Sequence, residues 1–422
     1  MCRWLTTLAR AVPARSVVTF LELLIGAMIT DRGFVTEAFL AIMPRRGWQA
    51  YYKWLERGRW SWVAVARALC RILVADFTTP LWYLVIDDTL VLRVSKKAPG
   101  VGTHFDHSQK PNRPSYIWGQ GWVTLAAVIR GRSVAASWAI PILSRMVRKG
   151  GNHGKLTTAR VLLRTVRGFF GKARLLLDAW YMRASVIHYA MAEGFTIIGQ
   201  VRRDLALYLP AKPTGKAGRP PKFGTKMTET AVAATLPETR AFLFIYGQGQ
   251  TIRYRSTIVL AKFLGGLPVR AVWISLEKDG IPQPTRLLLS TDTSIPAREV
   301  IEAYALRWPI EPMFNSLKHG VGVKEVWQQS RQTLHRWVHI LSAAFALTQM
   351  LAVHDPDIAL QLAIIAPWRR ERHPTAGMVK RGIAILFRNV SVNPLWDRKQ
   401  RKFQSPNAPD ACAQAPPHTK TA

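Results

Sequence analysis

Two hydrophobic periods divide this chain. In residues 1–75 the apolar positions recur at helical spacing over 17–29, 34–42 and 49–55, with Asp31-Arg32-Gly33 and Pro44-Arg45-Arg46-Gly47 as breaks. Short helices joined by Gly-containing turns and flanked by Arg fit a helix-turn-helix unit, a candidate DNA-binding domain; they fit a plain helical packing domain equally well. From about residue 80 short runs of β formers take over. Segments 82–87, 116–129 and 133–143 read as strands, 157–170 as a helix with Leu162, Leu163, Val166 and Phe169 on one side, 174–178 as a strand, 183–192 as a helix and 196–201 as a strand. That order predicts an α/β fold, a mixed sheet with helices packed on it, over 80–205. Residues 206–292 open with a basic linker: 210–226 is rich in Pro, Gly, Lys and Arg and holds no acid. Strands are expected again at 241–246, 251–260, 269–275 and 285–290, a β-rich insertion. Helices resume near Pro296 and occupy 293–355, and residues 356–422 read as a basic C-terminal tail, partly disordered.

Charge narrows the partner. With 59 Lys and Arg against 25 Asp and Glu, the formal net charge is +34, which favours a polyanion bound through its phosphates. A small structural basic protein fits poorly, because 49% of the residues are hydrophobic and 16 are Trp. Three dispersed cysteines, Cys2, Cys70 and Cys412, give neither a disulfide framework nor a zinc spacing and suit a reducing cytoplasm. No membrane association is expected. Segment 17–29 contains Glu22 and lacks a cleavage-site pattern, and segment 340–353 falls short of the roughly 20 apolar residues of a spanning helix.

In so basic a chain the placement of acids is informative. Asp87 and Asp178 close the two most apolar strand-like runs, Leu84-Val85-Ile86-Asp87 and Leu175-Leu176-Leu177-Asp178. Carboxylates that converge from neighbouring strands can hold divalent ions for phosphoryl transfer. An ordinary turn Asp after a strand is the competing explanation for each taken alone. Asp88 follows Asp87, and successive strand residues face opposite ways, so the two are not expected to share an ion. Further on, Tyr304, Arg307, Glu311 and Lys318 fall within about 60° of one another on an ideal helix, opposite Leu306, Ile310, Met313 and Leu317, although Pro309 and Pro312 bend such a helix. An amphipathic helix with an Arg307–Glu311 pair would show the same stripe.

The spacing Tyr-(2)-Arg-(3)-Glu-(6)-Lys, filled by Tyr304, Arg307, Glu311 and Lys318, resembles the signature of cut-and-paste DDE transposases of bacterial insertion sequences. Ile86-Asp87-Asp88-Thr89 is similar to the first catalytic segment of that family, whose Asp-x-Thr pattern selects Asp87, and Leu177-Asp178-Ala179-Trp180-Tyr181 is similar to the second. The resemblance covers roughly residues 80–350 and implies an RNase H-like catalytic core, interrupted by the β-rich insertion and completed by the helical segment that carries the Glu. It implies that Asp87, Asp178 and Glu311 are catalytic and bind two Mg²⁺ ions, with Mn²⁺ as a substitute. Tyr304, Arg307 and Lys318 would contact phosphates near the element's end. Trp308 would stack on an unpaired base or pack in the core, and Arg219 would enter a minor groove or stay solvated in the linker. The implied reaction is cleavage of double-stranded DNA at the element's ends and attack of the freed 3′ hydroxyl on target DNA, by a homodimer in the cytoplasm, on the nucleoid. An RNase H-like nuclease without strand transfer and a DNA-binding protein without catalysis are the alternatives. Two polar clusters rank lower: His104-Phe-Asp106-His107, and Lys149-Gly-Gly-Asn-His-Gly-Lys155, which offers a DNA-backbone contact.

Overall fold

A computed structural model describes residues 1–105, 114–131, 136–147, 152–212, 221–278, 280–365 and 374–405. Five helices come first: α1 (Cys2–Ala9), α2 (Val17–Ile29), α3 (Val35–Leu40), α4 (Trp48–Arg57) and α5 (Trp62–Asp76). The next section runs β1 (Trp82–Leu92), β2 (Gly102–Phe105), β3 (Tyr116–Arg130), β4 (Ser137–Met146), α6 (Asn152–Val166), β5 (Ala173–Leu177), α7 (Ala184–Ala192) and β6 (Phe195–Val201). After it come β7 (Leu207–Pro210), β8 (Phe223–Lys226), α8 (Glu229–Thr235), β9 (Thr239–Ile245), β10 (Gln248–Ala261), β11 (Leu267–Lys278), β12 (Ile281–Pro282) and β13 (Arg286–Ser290). The chain then turns helical in α9 (Ala297–Ala305), α10 (Ile310–His319), α11 (Arg331–His354), α12 (Pro356–Leu362) and α13 (Ala376–Phe387), before the hairpin of β14 (Trp396–Asp397) and β15 (Lys402–Phe403).

Among the described residues, thirteen strands form one mixed sheet with the path β2-β3-β1-β5-β6-β13-β11-β10-β7-β8; β4 pairs with β3, β9 with β10 and β12 with β11. The β4, β3 and β1 strands are antiparallel, whereas β1, β5 and β6 are parallel, the mixed α/β arrangement expected of an RNase H-like core. Every residue of β5 is buried, as befits a parallel strand covered on both faces. The insertion does not stand apart: β13 pairs antiparallel with β6 and carries the sheet onward.

Asp87 was expected to end its strand. Instead β1 runs on to Leu92, because β3 stays paired with it from Asp87↔Thr124 to Leu92↔Gly119. The partner on the other side stops earlier, at Ile86↔Leu177. Beyond that point β1 has an edge not covered by β5, and Asp87 is the first residue on it.

The helical ends of the chain share one core. The buried α2 packs on α3, α11 and α13. The approach to α3 is close enough that a Cβ on Gly26 would lie 2.0 Å from the Ala38 carbonyl oxygen. Among the described residues α11 is the one helix long and apolar enough to cross a membrane, and 94% of its apolar window is buried inside the protein. That burial fits the core helix expected over 340–353. Its Arg336 donates to the carbonyls of Leu55, Glu56, Gly58 and Trp60, at and beyond the end of α4. Within the stretch read as a basic tail, α13 buries Val379, Ile383 and Phe387.

Candidate active site

The parallel pair β1 and β5 sets two carboxylates side by side, because Asp87 and Asp178 each follow the last registered pair, Ile86↔Leu177. Asp178 leaves β5 in a turn that it caps itself. Its Oδ1 accepts from the backbone N–H of Trp180 at 3.0 Å and of Tyr181 at 2.9 Å. Asp87 Oδ1 accepts from the Asp88 N–H at 2.8 Å, and its Oδ2 accepts from Arg307 Nη1 at 2.7 Å. Burial pushes the Asp87 carboxyl up to about 7; the Asp178 charge adds to this and the Arg307 guanidinium opposes it. Burial also raises Asp178.

Glu311 stands in the first turn of α10 with its side chain 53% exposed. Its Oε1 lies 3.6 Å from Nη2 of the same Arg307 that binds Asp87. The structure therefore brings Asp87 and Asp178 together and connects Glu311 to them through a guanidinium. Among the described residues no three His, Cys, Asp or Glu side chains are grouped so as to hold a metal ion. Two half-buried, mutually repelling carboxylates still form an oxygen-only donor set that suits a hard cation such as Mg²⁺. Glu311 would join them only where Arg307 gives way.

A model of the DDE superfamily endonuclease family matches residues 11–255. The chain belongs to this family. The matched region takes in Asp87 and Asp178 and ends within β10, short of Glu311. No curated protein matches the chain. The family is one of nucleases that act on DNA and usually use divalent metals.

In this DDE endonuclease the four signature residues do not lie on one helix. Tyr304 belongs to α9, Arg307 to the link, and Glu311 and Lys318 to α10. The link is wound tighter, with Arg307 N–H bonded to the Tyr304 carbonyl, Trp308 to Ala305, Ile310 to Arg307 and Glu311 to Trp308. Pro309 sits at the N-cap of α10 and Pro312 within its first turn, where a missing N–H costs nothing. Tyr304 is buried with its hydroxyl 3.5 Å from Gln200 Oε1, and burial raises it to about 12. Trp308 is 51% exposed, which removes it from the core. Lys318 is half-buried and lines a small cavity with Thr89 and Phe314. Arg219 lies outside the described residues.

Asp88 takes other partners, Lys155 Nζ at 2.8 Å and the Tyr181 hydroxyl at 2.9 Å. Lys155, expected to meet a DNA backbone, thus pairs with a carboxylate and also sits 5.0 Å from the Trp180 ring centre. Residues 149–151 lie outside the described residues, as do Asp106 and His107; His104 is partly buried with its pKa lowered by burial and by the Lys155 charge. Sequence reasoning missed Gln200 and Tyr246. The signal for Tyr246 was the following Gly: Tyr246 (φ 54°) and Gly247 (φ 79°) form the left-handed turn between β9 and β10. That turn brings the Tyr246 ring within reach of the Arg286 and Arg307 charges.

Proposed function

We propose that this DDE endonuclease is a DNA transposase of the bacterial insertion-sequence type, cleaving DNA at the element's ends and joining the freed 3′ ends to target DNA. One observation carries the reading: Asp87 and Asp178 are neighbours at the uncovered edge of β1, with Arg307 and Glu311 facing them from the α9–α10 junction. In this reading Asp87, Asp178 and Glu311 hold two Mg²⁺ ions, for which Mn²⁺ substitutes. When bound, the ions would activate the attacking oxygen and neutralise charge on the leaving one. The chain itself half-buries the two Asp residues and holds Asp87 against Arg307. Arg307 and Lys318 orient the phosphate next to the scissile bond, and buried Tyr304 fixes Arg307 from behind. Exposed Trp308 offers a ring face to an unpaired base. The helices of residues 1–75 and the net charge of +34 supply duplex contacts. The active form on paired DNA ends is a homodimer, at work in the cytoplasm on the nucleoid.

The test is cleavage and joining of labelled duplex carrying the element's ends, with Mg²⁺. Asp87→Ala, Asp178→Ala and Glu311→Ala should each abolish nicking and leave DNA affinity within about twofold. Near-normal nicking by any one variant removes that residue from the site. Cleavage by the wild type with no joining to a second duplex would leave a nuclease without strand transfer.

A further inference from the structure

A hollow of about 760 Å³ opens between β6, β8 and β13. It begins at Ala179, the residue after Asp178, passes Gln200 next to Tyr304, and is walled by Arg202 and Arg203 from the loop after β6, Lys226 from β8 and Arg286 from β13. Its two acids are committed. Asp204 accepts from Arg202 at 3.0 and 2.6 Å, and Glu229 lies 3.7 Å from Arg203. Lys226 and Arg286 form no salt bridge among the described residues, so the hollow keeps positive charge directed at its contents. A second hollow of about 570 Å³ shares Arg203, Glu229 and Thr285 with the first and adds the Tyr254 ring; its Arg253 and Arg255 are paired with Glu238 at 3.6 and 2.8 Å, and Arg253 also with Glu277 at 3.1 Å. The two make one trough across the insertion, leading away from Asp178.

The dimensions select the ligand. Cavities of roughly 300–1,000 Å³ take ligands of drug size, a few nucleotides at most, and exclude a duplex. Lys226 and Arg286 in the first hollow, with the Tyr254 ring in the second, suit a single strand, whose phosphates pair with the charges and whose bases stack without regard to sequence. We propose that this trough binds the single DNA strand that leaves the reacting phosphate, with Lys226 and Arg286 on successive backbone phosphates. The inference rests on the reading of Asp87 and Asp178 as the reacting site, but binding can be tested without reaction.

The experiment measures fluorescence anisotropy in chelator, with an oligothymidine of about 15 nucleotides and a blunt duplex of about 30 base pairs as separate probes. Lys226→Glu/Arg286→Glu should weaken oligothymidine binding about tenfold and flatten its log–log salt slope by about 1.4, from two contacts at about 0.7 each. Duplex affinity should stay within about twofold, and a Lys399→Glu/Arg401→Glu control near β14–β15 should leave both probes bound as before. Lys226→Gln/Arg286→Gln gives the same ordering with a smaller charge change and guards against misfolding, which an unchanged melting curve checks. Equal losses on both probes, or no loss on the oligothymidine, would overturn the proposal. If the wild type fails to nick DNA yet the variants lose oligothymidine selectively, the trough stands and the transposase reading falls.

Discussion

At the scale of single residues, Asp87 shows what the site costs the fold. Its carboxyl titrates near 7, well above an ordinary Asp, because burial and the Asp178 charge oppose ionisation more than Arg307 favours it. A folded-state pKa raised above the unfolded one destabilises the protein as pH rises past about 4, the penalty growing until it is full above the folded value near 7. Asp87→Asn, which resembles the protonated acid, should therefore be more stable than wild type in chelator by roughly 1–2 kcal/mol at pH 8, with the gap closing toward pH 4. Urea melts across that range read it; a variant less stable than wild type at pH 8 would show that the Arg307 contact outweighs the buried charge. The sequence made Asp87 legible through the Asp-x-Thr resemblance, while alternation along the strand said only that Asp87 and Asp88 would not share an ion. It could not show that Arg307 would stand between Asp87 and Glu311, since that depends on how α9 and α10 are joined in space.

At the scale of elements, local pattern carried far and tertiary placement did not. The apolar run 82–87 was legible as a strand, but its extension to Leu92 depends on β3, a distant partner. The stripe of Tyr304, Arg307, Glu311 and Lys318 was legible as a motif, while the break before Pro309 put Tyr304 in α9, Arg307 in the link and the other two in α10. Helix α11 was legible as core. Its buried histidines were not, since apolar periodicity says nothing of ring protonation. Burial lowers His335 to about 3 and His339 to about 4, and neither ring nitrogen of His339 has a hydrogen-bond partner. A histidine whose folded pKa lies below its unfolded value leaves stability intact above about 6.5 and erodes it as pH falls from there toward 4. His339→Leu should raise the melting temperature at pH 7 and flatten the loss between pH 6.5 and 4, by about 1 kcal/mol from the unpaired nitrogens alone. An unchanged acid limb in thermal melts would place that sensitivity elsewhere.

At the scale of the whole molecule, the first helices and the last ones complete each other. Lys380 on α13 donates to the carbonyls of Thr30 and Gly320 and pairs with Asp31, tying three distant parts of the chain. A chain beginning at residue 80 would expose the faces of α11 and α13 that α2 covers. Such a truncation should be aggregated in size-exclusion chromatography and lack a cooperative melt; a monodisperse, cooperatively melting fragment would show that the α11 face can close without α2. This mutual dependence was not legible from composition, which separates segments by character and not by contact.

The sheet that passes unbroken from β6 into β13 makes the insertion a cantilever. Force on the trough reaches the strand beside Asp178 through a backbone ladder with no hinge between, so a substrate drawn taut along the insertion would strain the acids instead of lifting a flap away from them.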